Sequence, residues 1–188
     1  MKCLILVDLQ KDFIDGALGS PEAQAIVPRV VDKINNYSDK NNTLVLFTKD
    51  THYDNYMDTL EGSYLPIPHC IENTPGWSIN KEISKVVKKH GFLSYSSDKI
   101  INSRVYKNTF GSDDLKAFFE KFKDDIEEIE FVGLCTDICV ISNVLMARMV
   151  LPNTEITVDA SCCAGVTPDK HQAALEVMRS CQINVINE

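Results

Sequence analysis

A cysteine stands where an apolar strand runs into a helix. Residues Ile129 to Leu134 read as a buried strand that reaches Gly133, and Ile138 to Val150 has the apolar density and length of a buried helix. Cys139 therefore falls in the first helical turn, where free N–H groups and the helix dipole favour a thiolate. That makes it a candidate nucleophile, although packing alone also accepts a cysteine there. Asp8 closes the run Cys3-Leu4-Ile5-Leu6-Val7. A half-buried carboxylate has a raised pKa unless a cation or hydrogen bonds compensate, so Asp8 can serve as a base, or it can cap the loop Leu9 to Asp12. Lys107, in the aromatic-flanked segment Val105 to Phe110, offers a cation for either acid, or is simply a solvated lysine.

Asp50-Thr51-His52 sets a carboxylate and an imidazole two residues apart, on one side of an extended chain. Glu61 and His69 follow. Asp, His, Glu and His make an oxygen and nitrogen ligand set suited to zinc, iron or manganese, with positions left for water or substrate. The spacing is irregular, so a metal site and an ordinary acidic loop both remain open. His90 and His171 have helix-terminus explanations.

The elements that must position these residues alternate. Strands are expected at Cys3–Val7, Thr43–Thr48, Ile129–Leu134, Glu155–Asp159 and Ile183–Ile186. Helices are expected at about Ala23–Ser38, Ile79–His90, Asp113–Phe122, Ile138–Val150 and Asp169–Ser180, with a strand pair between Phe92 and Tyr106 and an irregular stretch from Asp50 to Trp77. About six strands with crossover helices predict an α/β fold with a parallel sheet and helices on both faces. In such a sheet ligands bind beyond the strand carboxyl ends, where Asp8, Asp50 and Gly133 all fall. The 188 residues suit a single domain spanning 1–188. A net charge of −8 argues against nucleic acid as a partner. Apolar runs are strand-sized or interrupted by Arg148 and Pro152, which predicts no membrane span, no leader and a cytoplasmic protein. Seven cysteines without framework spacing read as reduced thiols, with Cys162-Cys163 as small apolar residues in a turn.

Leu4 to Phe13, Thr48-Lys49-Asp50-Thr51-His52, Tyr106-Lys107 and Gly133 to Val140 occur in an order that resembles the isochorismatase-like cysteine hydrolase superfamily. The metal-ligand pattern is similar to that of its nicotinamidases, and Asp159-Ala160 through His171 resembles the C-terminal segment. The resemblance implies a three-layer doubly wound fold with a six-stranded parallel sheet and a catalytic triad of Asp8, Lys107 and Cys139. It also implies an oxyanion hole from the backbone N–H groups of Cys135 and Cys139, with a cis peptide before Cys135. One divalent metal, zinc in first place with iron or manganese as alternatives, would be held by Asp50, His52 and His69, with Glu61 as a fourth ligand used by some members.

The implied reaction is hydrolysis of nicotinamide to nicotinate and ammonia through a Cys139 thioester. The small-molecule amide is the expected partner, and a homo-oligomer is left open. The substrate pocket is expected to include Phe13, Leu18, Leu65 and Ile138. Two of these depart from the nicotinamidase pattern. A tryptophan usually precedes the last metal histidine, where this chain runs Tyr64-Leu65-Pro66-Ile67-Pro68, and Tyr or His usually precedes the nucleophile, where it has Ile138. Phe13 is then the clearest aromatic wall. A related cysteine hydrolase acting on another small amide or carbamoyl compound is the alternative, and an isochorismatase-type hydrolase a further one, which Cys139 argues against.

Overall fold

The computed structural model describes residues 1–38, 42–89, 95–96, 99–100 and 104–188. In chain order the elements are β1 (Lys2–Val7), α1 (Lys11–Ile14), α2 (Pro21–Ser38), β2 (Thr43–Asp50), a 3-10 turn (Tyr56–Asp58), α3 (Leu60–Tyr64), α4 (Lys81–Lys89), β3 (Tyr95–Ser96), β4 (Lys99–Ile100) and β5 (Arg104–Lys107). They continue with α5 (Asp113–Phe122), β6 (Glu128–Leu134), a π turn (Thr136–Val140), α6 (Ile141–Val150), β7 (Glu155–Ala164), α7 (Pro168–Ser180) and β8 (Asn184–Ile186). Six strands form one sheet in the order β5-β2-β1-β6-β7-β8, with every pairing parallel. β3 and β4 pair antiparallel apart from it.

The central strands are apolar on both faces because both faces are covered. Leu4, Ile5 and Leu6 of β1 and Phe131 and Val132 of β6 are fully buried. The helices turn their own apolar stripes inward: Ile26, Val30 and Ile34 of α2 recur every fourth residue, as do Leu115 and Phe119 of α5. Each such side chain contributes roughly 1.5–3 kcal/mol on burial. Helix starts are fixed locally. Ser112 accepts from the Leu115 N–H, and Thr167 accepts from the Lys170 N–H ahead of Pro168 in the first turn of α7.

The connection from β1 moves toward β2 and β5, whereas β6 moves the other way to β7 and β8. Right-handed crossovers then put α2 on one face and α6 and α7 on the other. The switch point lies between β1 and β6, whose carboxyl ends lead into Asp8 and into the π turn. Register sets the rest: Val7 lies opposite Gly133, and Asp50 opposite Lys107.

Several boundaries differ from the sequence expectation. β2 runs on to Asp50. β7 continues to Ala164, so Cys162 and Cys163 lie buried in a strand rather than in a turn. Pairing of Gly133 with Cys163 and Leu134 with Ala164, across an irregularity after Phe131, extends β7 beyond its obvious apolar run. The stretch expected to be irregular holds the 3-10 turn and α3, whose Thr59 caps the Gly62 N–H. His90 and most of the expected strand pair lie outside the described residues. Among the described residues no helix is long and apolar enough to cross a membrane.

Gly133 allows the close approach of β6 to β1. Its φ is +129°, and a Cβ there would stand 2.1 Å from the Val7 carbonyl oxygen. Gly133→Ala should therefore destabilise the fold by at least about 2 kcal/mol. Urea unfolding of the variant measures this, and an unchanged midpoint would refute the close-approach account.

Candidate active site

The carboxyl ends of β1, β5 and β6 bring Asp8, Lys107 and Cys139 together. Lys107 Nζ lies 2.7 Å from Asp8 Oδ2 and donates to Cys139 Sγ at 3.5 Å. Asp8 is inaccessible to solvent, and Cys139 and Lys107 are nearly so. Asp8 adopts φ +48°, turning its carboxylate into the crevice as β1 ends. Thr48 of β2 donates to Asp8 Oδ1 at 2.7 Å. The two oxygens of Asp8 thus face one hydroxyl and one ammonium.

Burial drives the electrostatics. It raises the Asp8 pKa, and Lys107 only partly restores the charged form. Burial likewise pushes the Cys139 thiol well up, with Asp8 adding to the effect and Lys107 opposing it. Burial works against the Lys107 ammonium, yet Asp8, Cys139 and Asp50 outweigh it and hold its pKa above the usual lysine range. The consequence is a permanent cation beside a resting thiol and an unusually basic carboxylate. The Cys135 thiol is also pushed up, to about 12, chiefly by burial.

The turn that carries Cys139 is wider than the expected α-helical start. Thr136 to Val140 form a π turn in which the Val140 N–H reaches the Cys135 carbonyl, and the Leu134–Cys135 peptide is cis. Such wide turns are often found at functional sites. Side chains not singled out from the sequence hold this turn. Asn143, fully buried on α6, donates to the carbonyls of Cys139 and Phe110 and accepts from the Ser112 N–H. Thr136 bonds His171 Nδ1 at 2.8 Å, giving that histidine a specific partner besides its place in the first turn of α7. Asp137 accepts from the Val166 N–H.

Asp50, His52 and His69 form a second cluster on the same crevice, each offering one ligand atom within 4.8 Å of the others. Asp50 Oδ2 lies 2.9 Å from His52 Nε2 and 3.4 Å from His69 Nε2. His69 Nδ1 bonds the Ile67 carbonyl at 2.9 Å, which orients the ring and leaves Nε2 with its lone pair free for a metal. Among the described residues His52 Nε2 is buried with no well-aligned hydrogen bond, despite the 2.9 Å approach of Asp50 Oδ2. A carboxylate and two imidazoles aimed at one point fit a borderline cation such as zinc. Glu61 stands behind them, its Oε1 3.7 Å from both Nε2 atoms. Asp50 joins the two clusters, because its other oxygen lies 3.5 Å from Lys107 Nζ. Gln10 and Asp12 position this group. The Gln10 amide accepts from the Asp50 N–H and donates to the Asp50 carbonyl, and Asp12 accepts from the N–H of Cys70, the residue after His69.

A cavity of about 380 Å³ opens onto both clusters. Its wall includes Cys139, Cys135, Asp50, Glu61 and His69, together with Phe13, Leu18, Leu65 and Ile138, the four residues expected of a substrate pocket. The only sequence signal for Gln10, Thr48, Thr136 and Asn143 is a polar residue inside or beside an apolar run.

The Isochorismatase domain model matches residues 2–188. A nicotinamidase of Schizosaccharomyces pombe is 30% identical, over 98% of this chain and 92% of its own length. A nicotinamidase/pyrazinamidase of Mycobacterium tuberculosis is 28% identical, covering 99% and 98%. Among solved structures, the nicotinamidase/pyrazinamidase PncA of Bacillus subtilis superposes with a TM-score of 0.81 at 27% identity, over 99% of both chains. The pyrazinamidase of Pyrococcus horikoshii in complex with zinc does so at 0.75 and 25%, over 100% of this chain and 99% of its own.

The geometry predicts an asymmetric pair of stability effects. Lys107→Met removes the cation from the fully buried Asp8 and should cost about 3–5 kcal/mol at neutral pH. Adding Asp8→Asn removes the stranded charge and should recover at least half of that loss, without restoring chemistry. Urea unfolding of wild type, single and double variants measures both steps. A Lys107→Met protein as stable as wild type would show that the ammonium does not compensate Asp8.

Proposed function

The chain belongs to the isochorismatase family, and from that membership and the crevice we propose that it is a cysteine amidohydrolase converting nicotinamide to nicotinate and ammonia. The observation that carries the reading is Lys107 Nζ between Asp8 Oδ2 and Cys139 Sγ, on a cavity whose wall also holds the Asp50 and His69 cluster. The match over residues 2–188 supports treating 1–188 as one hydrolase domain.

In this mechanism the resting thiol of Cys139 gives its proton to Asp8 as Sγ attacks the amide carbonyl carbon. The raised pKa of Asp8 favours its taking this proton, and Lys107 opposes the rise in the thiol's own pKa. Lys107 stays charged throughout and stabilises whichever partner bears the negative charge. The oxyanion that forms accepts from the N–H groups of Cys135 and Cys139, donors commonly worth about 3 kcal/mol each. Asp8 then protonates the leaving nitrogen, the C–N bond breaks, and ammonia departs from a thioester. Water attacks that thioester with Asp8 again as base, and the S–C bond breaks to release the acid and regenerate the thiol. Asp50, His52 and His69, with Glu61 beside them, would hold one divalent cation, zinc in first place. When bound, that cation supplies a Lewis-acid site for a substrate heteroatom or water.

A second reading, hydrolysis of a different small amide, draws support from the wall itself. Of its four expected pocket residues only Phe13 is aromatic, while Leu18, Leu65 and Ile138 are aliphatic.

Cys139→Ala should abolish ammonia release, lowering it by a thousandfold or more on the scale of removing a nucleophile acting with its base. Cys135→Ala should keep turnover within about tenfold, because only its amide is used. Ammonia assays on nicotinamide and a panel of small amides measure this, and a Cys139→Ala enzyme with wild-type turnover sinks the assignment.

Elemental analysis after zinc reconstitution and dialysis should give one metal per chain. An Asp50→Ala/His52→Ala double variant should retain none. Undiminished metal in that variant would place the cation elsewhere.

A further inference from the structure

A second cavity, of about 630 Å³, adjoins the catalytic one, and apart from His52 and Glu61 at its edge its wall has no part in the mechanism above. The two share Glu61, Leu65, Phe110 and Ile138 in their walls. Ile138 immediately precedes Cys139, so the second space begins one residue from the nucleophile. Its remaining surface comes from the turn after β2, from α3 and from the loop after β5. Tyr53, Tyr56, Leu60 and Tyr64 give it apolar and aromatic faces, and Asn55 and Asn108 give it polar edges.

The partition between the two spaces is soft. Leu65 and Ile138 are half-buried aliphatic side chains, and Phe110 is 51% exposed. Aliphatic side chains change rotamer at little cost where neighbours do not fill the space around them. Apolar exposure is concentrated at the same place: Leu60 is 76% and Tyr64 84% exposed, both on the rim of the second cavity. Apolar surface gathered around a concave site favours covering by an apolar ligand. Charge narrows the class further. Among the described residues the second cavity has no lysine or arginine in its wall, Glu61 is its only carboxylate, and His52 is its only imidazole. Beyond the edge formed by His52 and Glu61, an anionic group there would meet no side-chain cation.

We propose that the two cavities form one continuous trough, and that the preferred substrate is a planar primary carboxamide carrying a neutral, apolar or aromatic arm. The carboxamide occupies the first cavity beside Cys139, and the arm passes Leu65 and Ile138 into the second. The leaving group remains ammonia and the reaction is unchanged. This inference rests on the amidohydrolase reading and names its substrate class.

The test compares nicotinamide with 5-phenylnicotinamide and 6-phenylnicotinamide in ammonia-release assays on the zinc-reconstituted enzyme. At least one phenyl-bearing amide should show a tenfold or greater advantage in kcat/KM, carried mainly by KM. Asn55→Trp, which narrows the second cavity from a surface turn, should bring that ratio back toward one. Calorimetric binding of the same three amides to zinc-reconstituted Cys139→Ala protein gives a readout independent of turnover, and the armed amide should bind at least tenfold tighter than nicotinamide. Nicotinamide turned over or bound as well as both armed amides, or a ratio unmoved by Asn55→Trp, overturns the trough. Tighter binding of an armed amide with no ammonia released from any amide leaves the trough standing and overturns the amidohydrolase reading instead.

Discussion

An ammonium with almost no access to water, held between two carboxylates and a thiol, is the interaction around which this crevice is arranged. Desolvating a charge is costly, and the cost is met only when partners stand at bonding distance with fixed geometry. Lys107 has such partners in Asp8, Cys139 and Asp50. The lysine and its three partners arrive from four different segments: the end of β1, the end of β2, the end of β5 and the turn after β6. Their meeting depends on sheet register, since pairing of Asp50 with Lys107 and of Val7 with Gly133 leaves little freedom in where the side chains end. A slip of one residue in β5 would send Lys107 to the other face of the sheet and strand Asp8.

The same constraint explains the number of polar side chains buried around the crevice. Thr48, Gln10, Asn143 and Thr136 have no solvent access; the first three bond a candidate site residue or the backbone beside one, and Thr136 bonds His171. Gln10 fixes both backbone polar groups of Asp50, and Asn143 ties the Cys139 carbonyl to the loop bearing Phe110 and Ser112. These bonds tie the turns after β1 and β6 to β2 and α6. Without them, preorganisation of the thiol and of the metal cluster would depend on loop conformations that water could compete for.

Much of this arrangement was legible in the chain. Strands as apolar as Leu4 to Val7 and Ile129 to Leu134 announce a covered parallel sheet, and the residues that end them were the natural candidates for chemistry. Asp8 and Asp50 are visible as carboxylates at the ends of apolar strands and Cys139 as a thiol at a helix start, each with an ordinary structural alternative, whereas Lys107 reads equally as a solvated lysine until the resemblance of these segments to a known family joins them. The supporting amides and hydroxyls were not visible, because a Gln10 or Asn143 carries no pattern until tertiary contacts give it a partner. Local signals failed for a similar reason at β7, where Ser161, Cys162 and Cys163 look like turn residues and pairing with β6 extends the strand. Apolar density at Ile138 to Val150 predicts an ordinary helix start, whereas the partners of the π turn, Val166 and His171, are distant in sequence.

Charge accounting links the two clusters. Asp8, Asp50 and Glu61 bring three carboxylates to the crevice, and Lys107 is the ammonium that contacts two of them. Asp50 Oδ2 and Glu61 Oε1 are left facing the two imidazoles, where a divalent cation would match their charge. The two oxygens of Asp50 divide accordingly, Oδ1 facing Lys107 and Oδ2 facing the histidine ring nitrogens. A cation held at Oδ2 would draw the Asp50 charge toward itself, leaving Lys107 more fully available to Asp8 and Cys139. On the proposed reading Asp50 would thus be both a ligand donor and the link between the metal cluster and the nucleophile, over a path of two contacts.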